Sequence, residues 1–300
     1  MRRLAPLVVG LLGGCVAAAD LPEDVALDPS VLCEQSMPPG EVETVVTGFD
    51  RGTRGIAFSP EGRLFVTHGD VIEEVFPDGE TVEVASVPEA RGLEWWGGRL
   101  AIVSGDLGEE DGAGGLFRLV PETGEPQLFV SPLPGAETAT ISPWRSLVVA
   151  SPTVDEEVVE VENSGGLDGF VQEVPAPYSV GFSPDGTDAW VSSRREGGPL
   201  LWRFPIVEDN IIRGEEFFVW DAPVEPSEVV VSTTDDAVYV ALQGAGRIAR
   251  VDPVTGEESD VGFGLVAPRA MALGTGEWDP CALYVASEET DEIMAVGVFR

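Results

Sequence analysis

The chain has 300 residues, and its 53 Asp and Glu against 17 basic residues give a formal net charge of -36. All the basic residues are arginines, and His68 is the single histidine. Such a negative surface repels phosphate backbones and excludes a nucleic-acid partner, and one histidine excludes a multi-histidine metal centre. The 36 glycines and 24 prolines predict many turns and short strands rather than long helices.

The first residues have the pattern of an export signal. Met1–Arg3 is basic, and the apolar run 4–12 that follows is too short to span a bilayer. Residues 12–15, Leu-Gly-Gly-Cys, resemble a bacterial lipobox, which implies removal of residues 1–14 and lipidation of Cys15. The alternative is cleavage by ordinary signal peptidase after residues 17–19, Ala-Ala-Ala.

Either cleavage predicts an exported protein, in the periplasm or on the cell surface, and the lipobox further predicts an anchor in the outer membrane. Residues 15–40 are then a lipidated cysteine followed by an acidic tether, and residues 41–300 form one domain. Cys33 and Cys281 remain as an even pair, which predicts a disulfide in an oxidising compartment. Two unrelated buried thiols are the alternative.

Six segments repeat one pattern, in which an apolar strand, a polar turn and a second strand follow each other. They begin at Arg54, Arg91, Glu137, Tyr178, Ser227 and Arg269. A period of roughly 40–50 residues with four short strands per unit is typical of a β-propeller blade. The sequence therefore predicts an all-β, six-bladed propeller.

The sixth unit lacks a fourth strand before the chain ends, whereas residues 42–47 form a strand-like segment before the first unit. We predict that this N-terminal segment completes blade six and closes the ring, which removes two open sheet edges. A bridge between Cys33 and Cys281 would fix the closing strand to its blade.

Two motifs resemble known propellers. Residues 238–241 and 246–256, Val-Tyr-Val-Ala and Gly-Arg-Ile-Ala-Arg-Val-Asp-Pro to Gly, resemble the YVTN-type surface repeat. Residues 182–186, Phe-Ser-Pro-Asp-Gly, are similar to the strand–turn motif of NHL, TolB-like and gluconolactonase-type propellers. The resemblance covers residues 42–300 and implies a fold, whereas the activity has to be argued from a site.

The first strand of each blade lines the channel of a propeller, and its first residue lies at one rim. Those positions hold Arg54, Arg91, Glu137, Tyr178, Ser227 and Arg269, which are the candidate ligand-binding residues. The three arginines belong to neighbouring blades and could hold a carboxylate or phosphate ligand in bidentate geometry. Alternatively, each arginine pairs with a local acid and ties two blades together.

The loops after the second strands lie on the same face. They contribute His68, Asp70, Asp106, Arg194, Arg195, Gln243 and Glu288. His68 is a weak candidate for a general base, since its ordinary pKa lies near neutral pH. The alternative is a histidine that only makes hydrogen bonds within its loop.

The gluconolactonase-type resemblance implies a divalent metal in the channel, held by a Glu that opens blade one and by Asn and Asp from later blades. Here the first position is Arg54, and the only asparagines are Asn163 and Asn210, so that metal set does not carry over. No cofactor is predicted, and calcium is the candidate if an ion binds.

We interpret the protein as a monomeric binding module that takes a protein or small-molecule ligand at the channel face and meets a membrane only through its lipid. The alternative is a lactonase- or esterase-type hydrolase with a metal in the channel.

Overall fold

A computed structural model describes Cys33 and residues 36–107, 114–151, 157–171, 174–195, 198–208, 210–211, 213–221 and 223–299. The predicted signal segment 1–14, Cys15 and residues 16–32 of the predicted tether lie outside these ranges. The described chain is nearly all strand, with one turn of 3-10 helix at Gln243–Ala245. Within it, no helix is long and apolar enough to cross a membrane.

The strands form six sheets arranged as blades. The chain begins with β1 (Val42–Thr47), and blade one then consists of β2 (Thr53–Phe58), β3 (Leu64–His68), β4 (Val71–Val75) and β5 (Thr81–Ser86). Blade two consists of β6 (Ala90–Trp96), β7 (Arg99–Ser104), β8 (Gly115–Leu119) and β9 (Gln127–Val130). Blade three consists of β10 (Thr138–Ile141), β11 (Leu147–Ser151), β12 (Glu157–Val161) and β13 (Leu167–Val171).

The second half of the ring repeats this order. Blade four consists of β14 (Pro177–Phe182), β15 (Asp188–Ser193), β16 (Leu200–Val207), β17 (Asn210–Ile211) and β18 (Glu215–Val219). Blade five consists of β19 (Pro226–Val231), β20 (Val238–Leu242), β21 (Arg247–Val251) and β22 (Glu258–Phe263). Blade six has β23 (Pro268–Leu273), β24 (Ala282–Ser287) and β25 (Glu292–Gly297), and β1 is its fourth strand.

The pairing of β1 with β25 confirms the predicted closure. The two strands are antiparallel, with Val42 opposite Val296 and Thr47 opposite Glu292. The inner strands β2, β6, β10, β14, β19 and β23 contact one another in that order, and β23 contacts β2. The predicted six-bladed ring is therefore closed, with blades two and five opposite each other and blades three and six likewise.

A disulfide joins Cys33 to Cys281, with their Cα atoms 5.8 Å apart. Both cysteines are buried in the apolar cluster between blades five and six, where Tyr239 and Leu283 also lie. The bridge therefore fixes the segment before β1 to the blade that β1 completes.

The second strand of each blade is largely buried, which explains why the repeats contain apolar runs. All five residues of β3, β11 and β20 are buried, because neighbouring blades pack on both faces of these strands.

Hydroxyl groups then join the blades near the channel. Thr67 Oγ1 accepts the Gly55 N–H at 2.8 Å and donates to the Arg91 carbonyl of blade two at 3.1 Å. A Cβ at Gly55 would lie 2.2 Å from that carbonyl oxygen, so this approach requires glycine.

Candidate functional site

The inner strands begin at one end of the channel, which we call the upper mouth and define by Arg54, Arg91, Glu137, Arg269 and Glu288. Arg269, which opens blade six, has a side chain only 9% exposed. Its Nη2 donates to Glu137 Oε2 of blade three at 2.5 Å, and its Nη1 donates to Glu288 Oε2. Because blades three and six are opposite, this ion pair spans the channel.

The two other rim arginines are paired as well. Arg91 Nη1 donates to Glu137 Oε1, so Glu137 binds two arginines from two blades. Arg54 lies 3.3 Å from Glu89 and 3.4 Å from Glu288. The three arginines therefore meet at the upper mouth as predicted, but each has a carboxylate partner. That arrangement corresponds to the alternative of ties between blades, and binding of an external anion stays a prediction.

Tyr178 and Ser227 occupy the equivalent positions of blades four and five. The Tyr178 ring is buried under Arg194, whose Cζ lies 3.6 Å from the ring centroid, and burial raises the pKa of the Tyr178 hydroxyl. Arg194 donates to Gln243 Oε1 at 2.6 Å, and Gln243 donates to Glu288 Oε2 at 2.8 Å. Ser227 is fully buried and donates to the Pro268 carbonyl at 3.0 Å. Ser227 therefore ties blades five and six, and its hydroxyl is not offered to the channel.

His68 lies away from the channel. It is 6% exposed, packs against the Phe49 ring at 5.2 Å, and places Nε2 3.5 Å from Glu73 Oε2. Of its predicted companions, Asp70 accepts the Glu89 N–H at 2.9 Å and Arg195 pairs with Glu216 at 3.0 Å. His68 Nε2 has no hydrogen-bond partner among the described residues, so the alternative of hydrogen bonds within its loop is not shown, and a role as general base stays a prediction.

Below the upper mouth lies a cavity of about 300 Å³, which we call the channel cavity. All six inner strands line it, through residues 55–58, 92–94, 138–141, 181–182, 228–231 and 270–273. Apart from β10, which lines the cavity along its whole length, these are the middle and final residues of the strands, whereas the Arg269–Glu137 ion pair lies at their start. The cavity therefore extends toward the opposite end of the channel, the turn face, where the first strand of each blade turns into the second.

Two carboxyl groups line the channel cavity, and the sequence reasoning missed both. Glu94 comes from β6 of blade two, and Glu228 comes from β19 of the opposite blade five. Glu94 accepts a hydrogen bond from the Trp95 N–H at 2.8 Å, and Glu228 accepts one from Ser179 Oγ at 2.6 Å. Among the described residues, neither has an arginine or histidine within ion-pair distance.

The surroundings of the pair favour the protonated form of both groups. The pKa of Glu94 is raised to about 8, chiefly by burial and also by the charge of Glu228. The pKa of Glu228 is raised to about 7, again chiefly by burial, although the Ser179 hydrogen bond and the charge of Arg269 lower it. Burial acts this way because it disfavours the charged form of a carboxyl group.

The channel does not fit the metal set that the gluconolactonase-type resemblance implies. Arg54 stands at the position of the expected glutamate and is already paired with Glu89 and Glu288. Asn163 is exposed in a turn after β12, and Asn210 belongs to β17, which is not an inner strand. Across the described ranges, no three His, Cys, Asp or Glu side chains group as metal ligands.

Comparison with known proteins identifies the fold. No protein-family model matches the sequence, and no curated protein does. A gluconolactonase from Xanthomonas campestris superposes with a TM-score of 0.72 at 12% identity, over 86% of this chain and 89% of that one. A calcium-binding regucalcin from Agrobacterium tumefaciens gives 0.68 at 17% identity, over 86% and 98%.

A PQQ-bound aldose sugar dehydrogenase from Streptomyces coelicolor gives a TM-score of 0.67 at 13% identity, over 87% of this chain and 99% of that one. The resemblance to gluconolactonase-type propellers is thus confirmed for the fold. Identities this low carry the fold alone, and the named neighbours differ in activity.

Proposed function

We propose that this protein is a binding protein that holds a small ligand in the channel cavity and admits it from the turn face. One observation carries the proposal: the Arg269–Glu137 ion pair spans the upper mouth, while the cavity of about 300 Å³ continues below it. The cavity has the volume of a site for a small molecule, and its exposed walls are mainly polar, which suits a polar ligand.

The same geometry argues against the hydrolase alternative. A lactonase of the related type would need a metal in the channel, and the described residues offer it no group of ligands. His68 is packed against Phe49 instead of facing the cavity, so it supplies no general base there. A ligand-binding role without catalysis therefore fits the residues that line the channel better than the hydrolase alternative does.

The test combines ligand screening with an activity assay. We expect members of a library of cationic, anionic and neutral small molecules to raise the melting temperature of the wild type. The substitution Thr140→Phe, which fills the channel cavity from β10, should abolish that rise, because Thr140 lines the cavity. Thr81→Phe, on the exposed outer strand β5, is the matched control and should keep it.

Two results would contradict the binding proposal. One is hydrolysis of lactones or esters by the wild type with added calcium, at a rate that Thr140→Phe removes. The other is the absence of any stabilising compound in all three charge classes.

We further propose that the protein is exported and anchored through a lipid on Cys15, on the basis of the lipobox-like residues 12–15. Cys15→Ser should move the protein from the membrane fraction to the soluble fraction and abolish labelling by radioactive palmitate. Ala19→Arg, which blocks the alternative cleavage site, should leave the protein in the membrane and labelled. Wild-type protein that is soluble, or an Ala19→Arg variant that stays in the membrane without the label, would contradict the anchor.

A further inference from the structure

We propose that the ligand of the channel cavity is a small organic cation whose ammonium groups pair with Glu94 and Glu228. This inference rests on the proposed function and names the chemical class of the ligand. It begins from the position of the two glutamates, which project from opposite blades into one cavity.

Charge is the first argument. Among the described residues, Glu94 accepts a hydrogen bond from the Trp95 N–H, and Glu228 accepts from the Ser179 hydroxyl and the Val229 N–H, but neither has a cation within ion-pair distance. Arg269, the nearest cation to act on Glu228, is already bound to Glu137 and Glu288 at the upper mouth. Both carboxyl groups are half-buried, and an ionised carboxylate in such a cavity is costly without a cation, so a cationic ligand supplies the charge that the described walls lack.

The walls argue for an organic cation instead of a metal ion. Calcium takes six to eight oxygen ligands, whereas the described cavity offers two carboxyl groups and no third acidic or histidine ligand beside them. The cavity of about 300 Å³ is also much larger than a single metal ion, and its exposed walls are mainly polar. Two glutamates on opposite walls fit a ligand with two ammonium groups.

Ser179 holds one of the two carboxylates in place. Its Oγ donates to Glu228 at 2.6 Å and accepts the Val229 N–H at 3.1 Å. The hydroxyl therefore links a backbone group of β19 to the neighbouring carboxylate, which fixes Glu228 before a ligand arrives. Such preorganisation reduces the entropic cost of binding.

Binding should release protons and strengthen as the pH rises. The raised pKa values, about 8 for Glu94 and about 7 for Glu228, leave the empty site largely protonated at pH 6. A dication needs both carboxylates ionised, so affinity must increase through this range. The charged groups that act on the pair from the packed elements are each other and Arg269.

The experiment is calorimetric titration of the full chain with 1,4-diaminobutane, which stays protonated below about pH 9 because alkyl ammonium groups titrate near pH 10. We expect binding at pH 8.5 and at least about tenfold weaker binding at pH 6, since each pH unit below a pKa lowers the ionised fraction about tenfold. Butane-1,4-diol, the uncharged analogue, should not bind. Calcium chloride should not compete.

Glu94→Gln and Glu228→Gln should each weaken binding of the diamine at pH 8.5 by about tenfold or more, because each removes one ion pair inside the channel cavity. Glu94→Gln should also flatten the pH dependence. Glu83→Gln, which makes the same change on the exposed face of β5, is the matched control and should bind like the wild type.

The outcomes separate this inference from the function on which it rests. One contrary result is that the wild type binds neutral or anionic compounds, but not the diamine, and that Thr140→Phe abolishes this binding. That result would contradict the proposal of a cationic ligand and leave the cavity as a ligand site. Displacement of the diamine by calcium would also contradict the proposal that the ligand is an organic cation. The comparison of the diamine with the diol uses the wild type alone. It therefore tests whether the ligand must be charged even if a glutamine variant fails to fold.

Discussion

Replacing Arg269 with methionine is expected to lower the free energy of unfolding by about 3–5 kcal/mol. Arg269 is nearly buried and binds both Glu137 and Glu288, so its loss leaves two carboxylates at the upper mouth without their shared cation. Burial alone would raise the pKa of Glu288, yet Arg269, Gln243 and Arg54 together lower it. The contribution of the Glu288 ion pair to stability is therefore fully present above the ordinary pKa of a carboxyl group. It is lost as the pH falls through the lowered pKa of Glu288.

Urea denaturation at pH 7.5 measures the effect, and Arg54→Met is the matched control. Arg54 is 30% exposed and lies 3.3 Å from Glu89 and 3.4 Å from Glu288, longer contacts than those of Arg269, so its removal should cost about 1 kcal/mol or less. Neutralising the partners together, in Arg269→Met with Glu137→Gln and Glu288→Gln, should restore part of the loss. Equal destabilisation by Arg269→Met and Arg54→Met would contradict the role assigned to the ion pair across the channel.

Removing the disulfide is expected to have an effect of similar size. Cys33 and Cys281 are separated by 248 positions, so the bridge closes a loop that includes blades one to five together with β1 and β23 of blade six. The chain-entropy relation gives about 5 kcal/mol for a loop of this length, because the bridge restricts the unfolded chain. The double variant Cys33→Ala with Cys281→Ala should lose stability of this order in urea denaturation.

Reduction of the wild type with dithiothreitol should reproduce the unfolding midpoint of the double variant, since both lack the bridge. Cys15→Ala, which changes the one cysteine that is not part of the bridge, should leave the midpoint unchanged. Identical midpoints for oxidised and reduced wild type would show that the bridge does not stabilise the fold.

The sequence was sufficient for the fold because each blade repeats the same strand–turn–strand unit. The absent fourth strand of the sixth unit and the spare strand at residues 42–47 together predicted the closure that the register of β1 on β25 confirms. Both inferences depend on local patterns and on counting, which a linear sequence preserves.

The partners at the upper mouth could not be predicted in the same way. The rim position of Arg269 followed from the repeat, but its pairing with Glu137 joins opposite blades across the channel. That contact depends on the reach of a long side chain and on the diameter of the ring. Ser227 occupies an equivalent rim position, yet its hydroxyl bonds to a neighbouring carbonyl at 3.0 Å.

Glu94 and Glu228 did have a signal that the sequence reasoning passed over. Each is a charged residue inside the apolar first strand of a blade, between Leu93 and Trp95 in one case and before Val229 in the other. Acidic residues are seldom placed in buried strands without a partner, so their position pointed to the channel. Their presence in one shared cavity required the three-dimensional ring.

The pairing of β1 with β25 also determines when folding can finish during synthesis. Residues 42–47 emerge early, but the strand they need, Glu292–Gly297, is among the last to be made. Contacts this distant in sequence form slowly, because the long intervening chain must first be ordered. Until then both β1 and β24 present open edges, which are templates for pairing with other chains. A nascent chain that stalls before residue 292 is thus a template for aggregation, and only chains that extend through β25 can close the ring.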